Sequence, residues 1–223
     1  MRNPLRILHE HLRSPVIQFG PPRTGSTVVW NALRAILPGQ DIPKRHDLSF
    51  LHLSPFCRSR IVCTVRNPLD IIVSMLGVSE LEPTPEAVTG KILELEHHGL
   101  GNVLSIRQRP GTLFLRYEDF YGNFDYLFDE LTRFLKVEIG DEERNRFNEE
   151  FHVESVRKRA ENLGDFGNFD PGDHIHGRHI SRYSGRPGYH SEVLDRDSAI
   201  RIRERFASFM AAFDYLPDAG RSE

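Results

Sequence analysis

Apolar positions along the chain fall into short runs set between turn-forming residues. Residues 16–20 (VIQFG) lie between Pro15 and a Gly-Pro-Pro turn and read as a buried strand. Residues 60–65 (RIVCTV), rich in β-branched side chains, give a second buried strand, and residues 112–115 (TLFL) a third. Between the strands the apolar period becomes helical. Helices are expected over 27–37, with Ser26 or Thr27 as cap and Pro38 and Gly39 as stop, over 68–77 with Pro68 in the first turn, and over 124–135. Helical spacing also fits 85–100, 141–162 and 195–213. Short buried strands alternating with helices predict an α/β protein, a three-layer α/β/α arrangement around a central parallel sheet. Residues 164–190 break the pattern. They are rich in Gly, His, Arg and Asp, lack periodicity, and are expected to form a long active-site loop or polar lid.

Composition narrows the function classes. The 223 residues suit one buried domain over 1–223, with 39% hydrophobic and 27% charged positions. The formal net charge of −3 argues against non-specific nucleic-acid binding, so any anion site must be local. No run approaches the ~20 apolar residues of a membrane span, and no signal-peptide core is present near the start. The two cysteines, Cys57 and Cys63, lack a CxxC pair or zinc-like spacing and read as reduced thiols. A cytoplasmic protein without a membrane or nucleic-acid partner is expected. Its oligomeric state is not written in the sequence.

Two segments carry chemistry. Gly20-Pro-Pro-Arg23-Thr24-Gly25-Ser26-Thr27 joins the first strand to a helix, so backbone N–H groups and a helix N-terminus can face one anion. Gly20 and Gly25 have the spacing of a nucleotide triphosphatase P-loop, yet Ser26 stands where its Lys belongs and the cation is Arg23. That argues against a P-loop kinase or NTPase, which needs the Lys at the β/γ-phosphates. The second segment, Arg66-Asn67-Pro68-Leu69-Asp70 followed by Ser74, puts an Arg fork at a strand end and a hydroxyl two turns into the next helix. The competing structural reading pairs Arg66 with Asp70 and leaves Ser74 as a mid-helix residue.

Together these segments resemble the sulfotransferases, whose phosphosulfate loop reads P-[KR]-[ST]-G-[ST]-[ST] and whose 3′-phosphate motif reads R-[DN]-P-x-D with a Ser eight positions after the Arg. The resemblance implies transfer of a sulfuryl group from 3′-phosphoadenosine 5′-phosphosulfate (PAPS), leaving adenosine 3′,5′-bisphosphate (PAP), to a hydroxyl or amine of a small-molecule or glycan acceptor. It implies that Arg23, Thr24, Gly25, Ser26 and Thr27 hold the phosphosulfate, and Arg66 and Ser74 the 3′-phosphate. Lys44-Arg45-His46 is similar to the family's K-x-H stretch, which makes His46 the general base, with Lys44 and Arg23 stabilising charge on the leaving group. His52 is the nearest competitor for the base. Tyr117, in a stretch similar to L-x-Y-E-D, is the adenine candidate, with packing into the sheet edge as its structural reading. The family's usual Trp after the loop is replaced by Val28, while Trp30 lies two further on and is core or adenine contact. A late stretch, Arg182 to Tyr189, resembles the loop that closes over the 3′-phosphate. Gly185 and Gly188 match; Tyr183 and Ser184 stand where cations belong, so Arg182 or Arg186 would substitute. His174, His176, His179 and His190 raise a metal alternative, but the chemistry implied by the family requires none. A non-catalytic nucleotide-binding relative is the remaining alternative.

Overall fold

The computed structural model describes residues 16–49, 59–183 and 185–216. Cys57, His52 and Ser184 lie outside the described residues. Four parallel strands run in the order β2-β1-β3-β4, comprising β1 (Val16–Phe19), β2 (Lys44–Arg45), β3 (Arg60–Val65) and β4 (Thr112–Arg116). The strand after each helix returns parallel, as β–α–β connections require. β1 and β3 are central and buried along almost their whole length, which explains their unbroken apolar runs. β2, only two residues long and polar, carries no period to read and escapes sequence analysis.

α1 (Ser26–Ile36) follows β1, and α2 (Pro68–Val78) follows β3. α1 takes Gly25 as its N-cap, with no side-chain cap bond, so neither Ser26 nor Thr27 plays the expected capping role. α2 is capped by Asn67, whose side chain accepts the Leu69 N–H, with Pro68 in the first turn. The expected 85–100 helix is two, α3 (Pro85–His97) and α4 (Leu100–Ser105), because Gly99 at φ 85° breaks it. α5 (Tyr117–Phe120) and α6 (Phe124–Leu135) follow β4. The 141–162 pattern is also two helices, α7 (Asp141–Phe151) and α8 (Val153–Leu163), divided at His152, whose backbone is extended. α9 (His190–Val193), α10 (Arg196–Arg205) and α11 (Ala207–Ala212) are the last elements of the described residues, the expected 195–213 helix being interrupted at Phe206.

Two apolar clusters cover the sheet's faces. One packs Phe19, Ile61 and Cys63 against α2, α3, α10 and α11; the other packs Val16, Val62 and Leu115 against α1, α6 and α7. The described residues of 164–189 form neither helix nor named strand and make a single antiparallel bridge, Phe169 to His176. This loop is fastened to α1. Asn31 donates to the Asp173 carbonyl at 2.7 Å, Arg34 donates to the Gly172 carbonyl, and the Trp30 ring lies 4.4 Å from His174.

Candidate functional site

The carboxyl ends of β1 and β3 meet the N-termini of α1 and α2, and the anion-binding groups converge there. In the first loop Arg23 takes φ 65° and Gly25 φ 79°. Such alternation turns successive N–H groups to one side, beside the positive end of α1. A Cβ on Gly25 would stand 2.8 Å from ring carbons of Tyr117 and Phe120, so the residue must be Gly for these rings to close on the loop. Thr24 is fully buried; its hydroxyl donates to the Pro21 carbonyl at 2.7 Å and meets Thr64 Oγ1 at 2.7 Å. Its side chain therefore ties the loop to β3, leaving only its N–H for a ligand.

The two segments are cross-linked. Arg23 Nε donates to Ser74 Oγ at 2.9 Å, and Arg66 Nη1 donates to the Arg23 carbonyl at 3.1 Å. Arg66 also donates to the Gly185 carbonyl at 2.8 Å, which Tyr117 Oη reaches at 2.9 Å. The Arg66 guanidinium sits 4.1 Å from the Tyr117 ring centre, and its Nε is buried without a partner. Asp70 does not neutralise Arg66 by direct pairing. It accepts the Gly188 N–H at 2.8 Å, the His190 N–H at 3.1 Å and His190 Nδ1–H at 2.8 Å, pinning the late loop to the start of α2. Burial pushes the Asp70 carboxyl up, but the His190 bond and the Arg66 charge bring it below its usual range. Glu118 ties the other side, accepting the Asn67 N–H at 2.9 Å and the Tyr215 hydroxyl at 2.9 Å.

One cavity opens on this junction. Arg23, Gly25, Ser26, Thr27, Arg66, Ser74 and Gly185 give its wall polar groups, and Val28, Phe124, Phe151, Val153 and Val156 apolar ones, with Tyr117 also in the wall. Trp30 does not line it. Its Nε1 donates to the Ile42 carbonyl at 2.7 Å and its ring packs in the core, under the long loop. Arg182 also points elsewhere, to the Leu81 carbonyl and Glu82, and Arg186 pairs with Glu192.

The cations crowd one another. Burial and then the Arg66 charge push Arg23 down to about 10, and burial and then the Arg23 charge push Lys44 down to about 8. Lys44, on β2, donates to Thr27 Oγ1 at 2.7 Å and so reaches the first loop from the neighbouring strand. His46 Nδ1 lies 2.8 Å from the Gly20 carbonyl. A carbonyl only accepts, so Nδ1 carries the proton and Nε2 keeps its lone pair. Burial, aided by the Lys44 charge, holds this imidazole below its ordinary value despite the Gly20 bond.

His179, Ile180 and Ser181 of the long loop are cavity residues that the sequence alone does not single out as ligands. The His179 carbonyl accepts Arg23 Nη2–H at 2.7 Å, and burial plus the Arg23 and Lys44 charges push its imidazole well below its ordinary value. The only sequence signal is its place in a His-rich loop. Among the described residues no group of three or more His, Cys, Asp or Glu side chains could hold a metal ion, and no helix is long and apolar enough to cross a membrane.

The sulfotransferase domain family model matches residues 53–165, half of the chain, spanning the Arg66–Ser74 segment and the Tyr117 stretch. The chain belongs to the sulfotransferase family. Among solved structures this sulfotransferase is similar to mouse sulfotransferase SULT7A1 complexed with PAP, at 17% identity and a TM-score of 0.69, covering 96% of this chain and 92% of that one. It is also similar to retinol dehydratase in complex with androsterone and the inactive cofactor PAP, at 15% identity and a TM-score of 0.64, covering 96% and 86% of the two chains. A second retinol dehydratase structure, with retinol and PAP, gives 15% identity and a TM-score of 0.61, covering 98% and 88%. These likenesses show that the α/β fold is that of sulfotransferases. No curated protein matches the sequence significantly.

Proposed function

We propose that this sulfotransferase uses PAPS as donor and transfers its sulfuryl group to a hydroxyl or amine of a small acceptor. The observation that supports this most directly is the coupling of two anion loops in one cavity, Arg23 Nε to Ser74 and Arg66 to the Arg23 carbonyl, as a nucleotide with phosphates at both ends requires. The donor set fits such a ligand. Loop N–H groups, Ser26, Thr27 and Arg23 suit the 5′-phosphosulfate; Arg66 and Ser74 suit the 3′-phosphate; Tyr117 and the apolar side chains of the wall suit the adenine. The structural neighbours in complex with PAP agree with this donor.

In the reaction the acceptor oxygen or nitrogen attacks sulfur in line as His46 Nε2 takes its proton. The bond from sulfur to the bridging oxygen breaks, and its electron pair leaves on the 5′-phosphate of PAP. Arg23, and Lys44 in its charged form, stabilise that developing charge, having few neighbouring anions to relieve their mutual repulsion. His46 and Lys44 flank the phosphosulfate loop from β2 without lining the cavity, so the acceptor would approach from the β2 side.

The test is calorimetric titration with PAP, and with ATP plus magnesium as comparison. Tight binding of PAP and weak binding of magnesium–ATP is expected; the reverse preference would move the protein to the kinase and NTPase class. His46→Ala should then abolish turnover of a screened acceptor and leave PAP affinity unchanged; turnover at the wild-type rate would remove His46 as base.

A further inference from the structure

Resting on the donor reading above, we propose that Ser181 is a third side-chain ligand of the 3′-phosphate, reaching it from the long loop. Ser181 is 5% exposed, lines the cavity, and its Oγ has no hydrogen-bond partner. A buried hydroxyl left unbonded is costly, so it calls for a partner that arrives from outside the protein.

Its position says which part of the ligand it meets. Ser181 packs on α2 at Gly77, where a Cβ would stand 2.9 Å from Ser181 Cβ and 2.8 Å from the Tyr183 ring. Gly77 lies about one turn beyond Ser74 on the same helix face. Ser181 lines the main cavity together with Arg66, Ser74 and Gly185, and these four also border a tight recess beside it with Asp70 and Arg186. Ser181 therefore sits beside Ser74 and Arg66, the residues assigned to the 3′-phosphate. Arg66 Nε, the other buried donor without a partner there, belongs to the same end. Two donors without a partner and the Ser74 hydroxyl thus belong to residues that line one cavity, the donor set a phosphate needs. Arg182 is turned to Glu82, and Arg186, which borders the recess, is paired with Glu192.

The experiment compares PAP with adenosine 5′-monophosphate, which lacks the 3′-phosphate, on the full chain and on Ser181→Ala. Loss of one hydrogen bond to a charged group should weaken PAP binding roughly ten- to a hundredfold and change the monophosphate by less than about twofold. Because the hydroxyl bonds to nothing in the protein, the melting temperature of Ser181→Ala should equal or exceed that of wild type. If wild type itself binds both nucleotides alike, the donor reading fails and this inference with it. If wild type prefers PAP and Ser181→Ala keeps that preference, Ser181 is not a ligand. Equal weakening of both nucleotides would likewise overturn the assignment, since it marks a general role in shaping the cavity.

Discussion

Arg66 gives the sharpest prediction, because one guanidinium serves three partners. It is 3% exposed, donates to the Arg23 and Gly185 carbonyls, and stacks on Tyr117 at 4.1 Å. In Arg66→Ala the phosphate loses a charge-assisted fork worth about 1.5–3 kcal/mol per hydrogen bond. Part of that is returned because the cost of holding Arg23 and Arg66 so close disappears with Arg66. A net loss of roughly 2–4 kcal/mol in PAP binding is expected, which is about thirty- to a thousandfold in Kd. Arg66→Lys keeps the charge but not the fork and should fall between. Calorimetry with PAP, alongside adenosine 5′-monophosphate, separates the phosphate contact from loop disruption. A Kd within threefold of wild type for Arg66→Ala would refute the two-anchor reasoning.

Lys44 should make donor binding pH-dependent. Its free-state value near 8 means PAPS affinity holds below pH 8 and falls by up to tenfold per pH unit above it, because the anion favours the charged amine; Lys44→Arg should flatten that limb in calorimetry across pH 6.5–9.5. Gly25→Ala places a Cβ 2.8 Å from Tyr117 and Phe120 at φ 79°, so it should lower stability by about 1–3 kcal/mol in denaturant melts and weaken PAP binding; an unaltered variant would mean that the rings do not close on the loop. Arg182→Ala, whose side chain faces Leu81 and Glu82, should leave PAP affinity within about twofold, and a large loss would restore Arg182 to the site.

Most of the fold was legible because its two central strands are buried on both faces. Residues 16–19 and 60–65 read as continuous apolar runs, and the turns that end them hold the anion loops. The helix breaks at Gly99, His152 and Phe206 were not legible, since the apolar face continues across each one into the same core. β2 was hidden for the opposite reason: two polar residues owe their strand conformation to pairing with Gln18 and Phe19, not to their own pattern. For the site, motif spacing located Arg23, Arg66, Ser74 and Tyr117, which do meet in one cavity. It misplaced Arg182 and was silent on the Thr24 hydroxyl, because spacing reports which residue types are present, not where their side chains point. Thr24 is turned inward by Thr64, and Arg182 outward by Glu82. Ser181 could not be found at all, and His179 only as one of a His-rich loop, as they reach the site only after the long loop folds back over α1 and α2.

The long loop and the late loop answer different needs of an enzyme whose net charge is −3. A local cluster of Arg23, Lys44 and Arg66 destabilises itself, as the lowered values of Arg23 and Lys44 show. Two loops hold it together through uncharged or distant groups. The His179 and Gly185 carbonyls accept from the arginines, whereas the carboxylate of Asp70 is spent on the amides of Gly188 and His190. Had Asp70 bonded Arg66 directly, the cation would be satisfied and a phosphate would have to displace an ion pair to reach it. Carbonyl dipoles position the guanidinium groups while leaving most of their charge for the donor, which is the condition for a small acidic protein to bind a polyanion in a buried site.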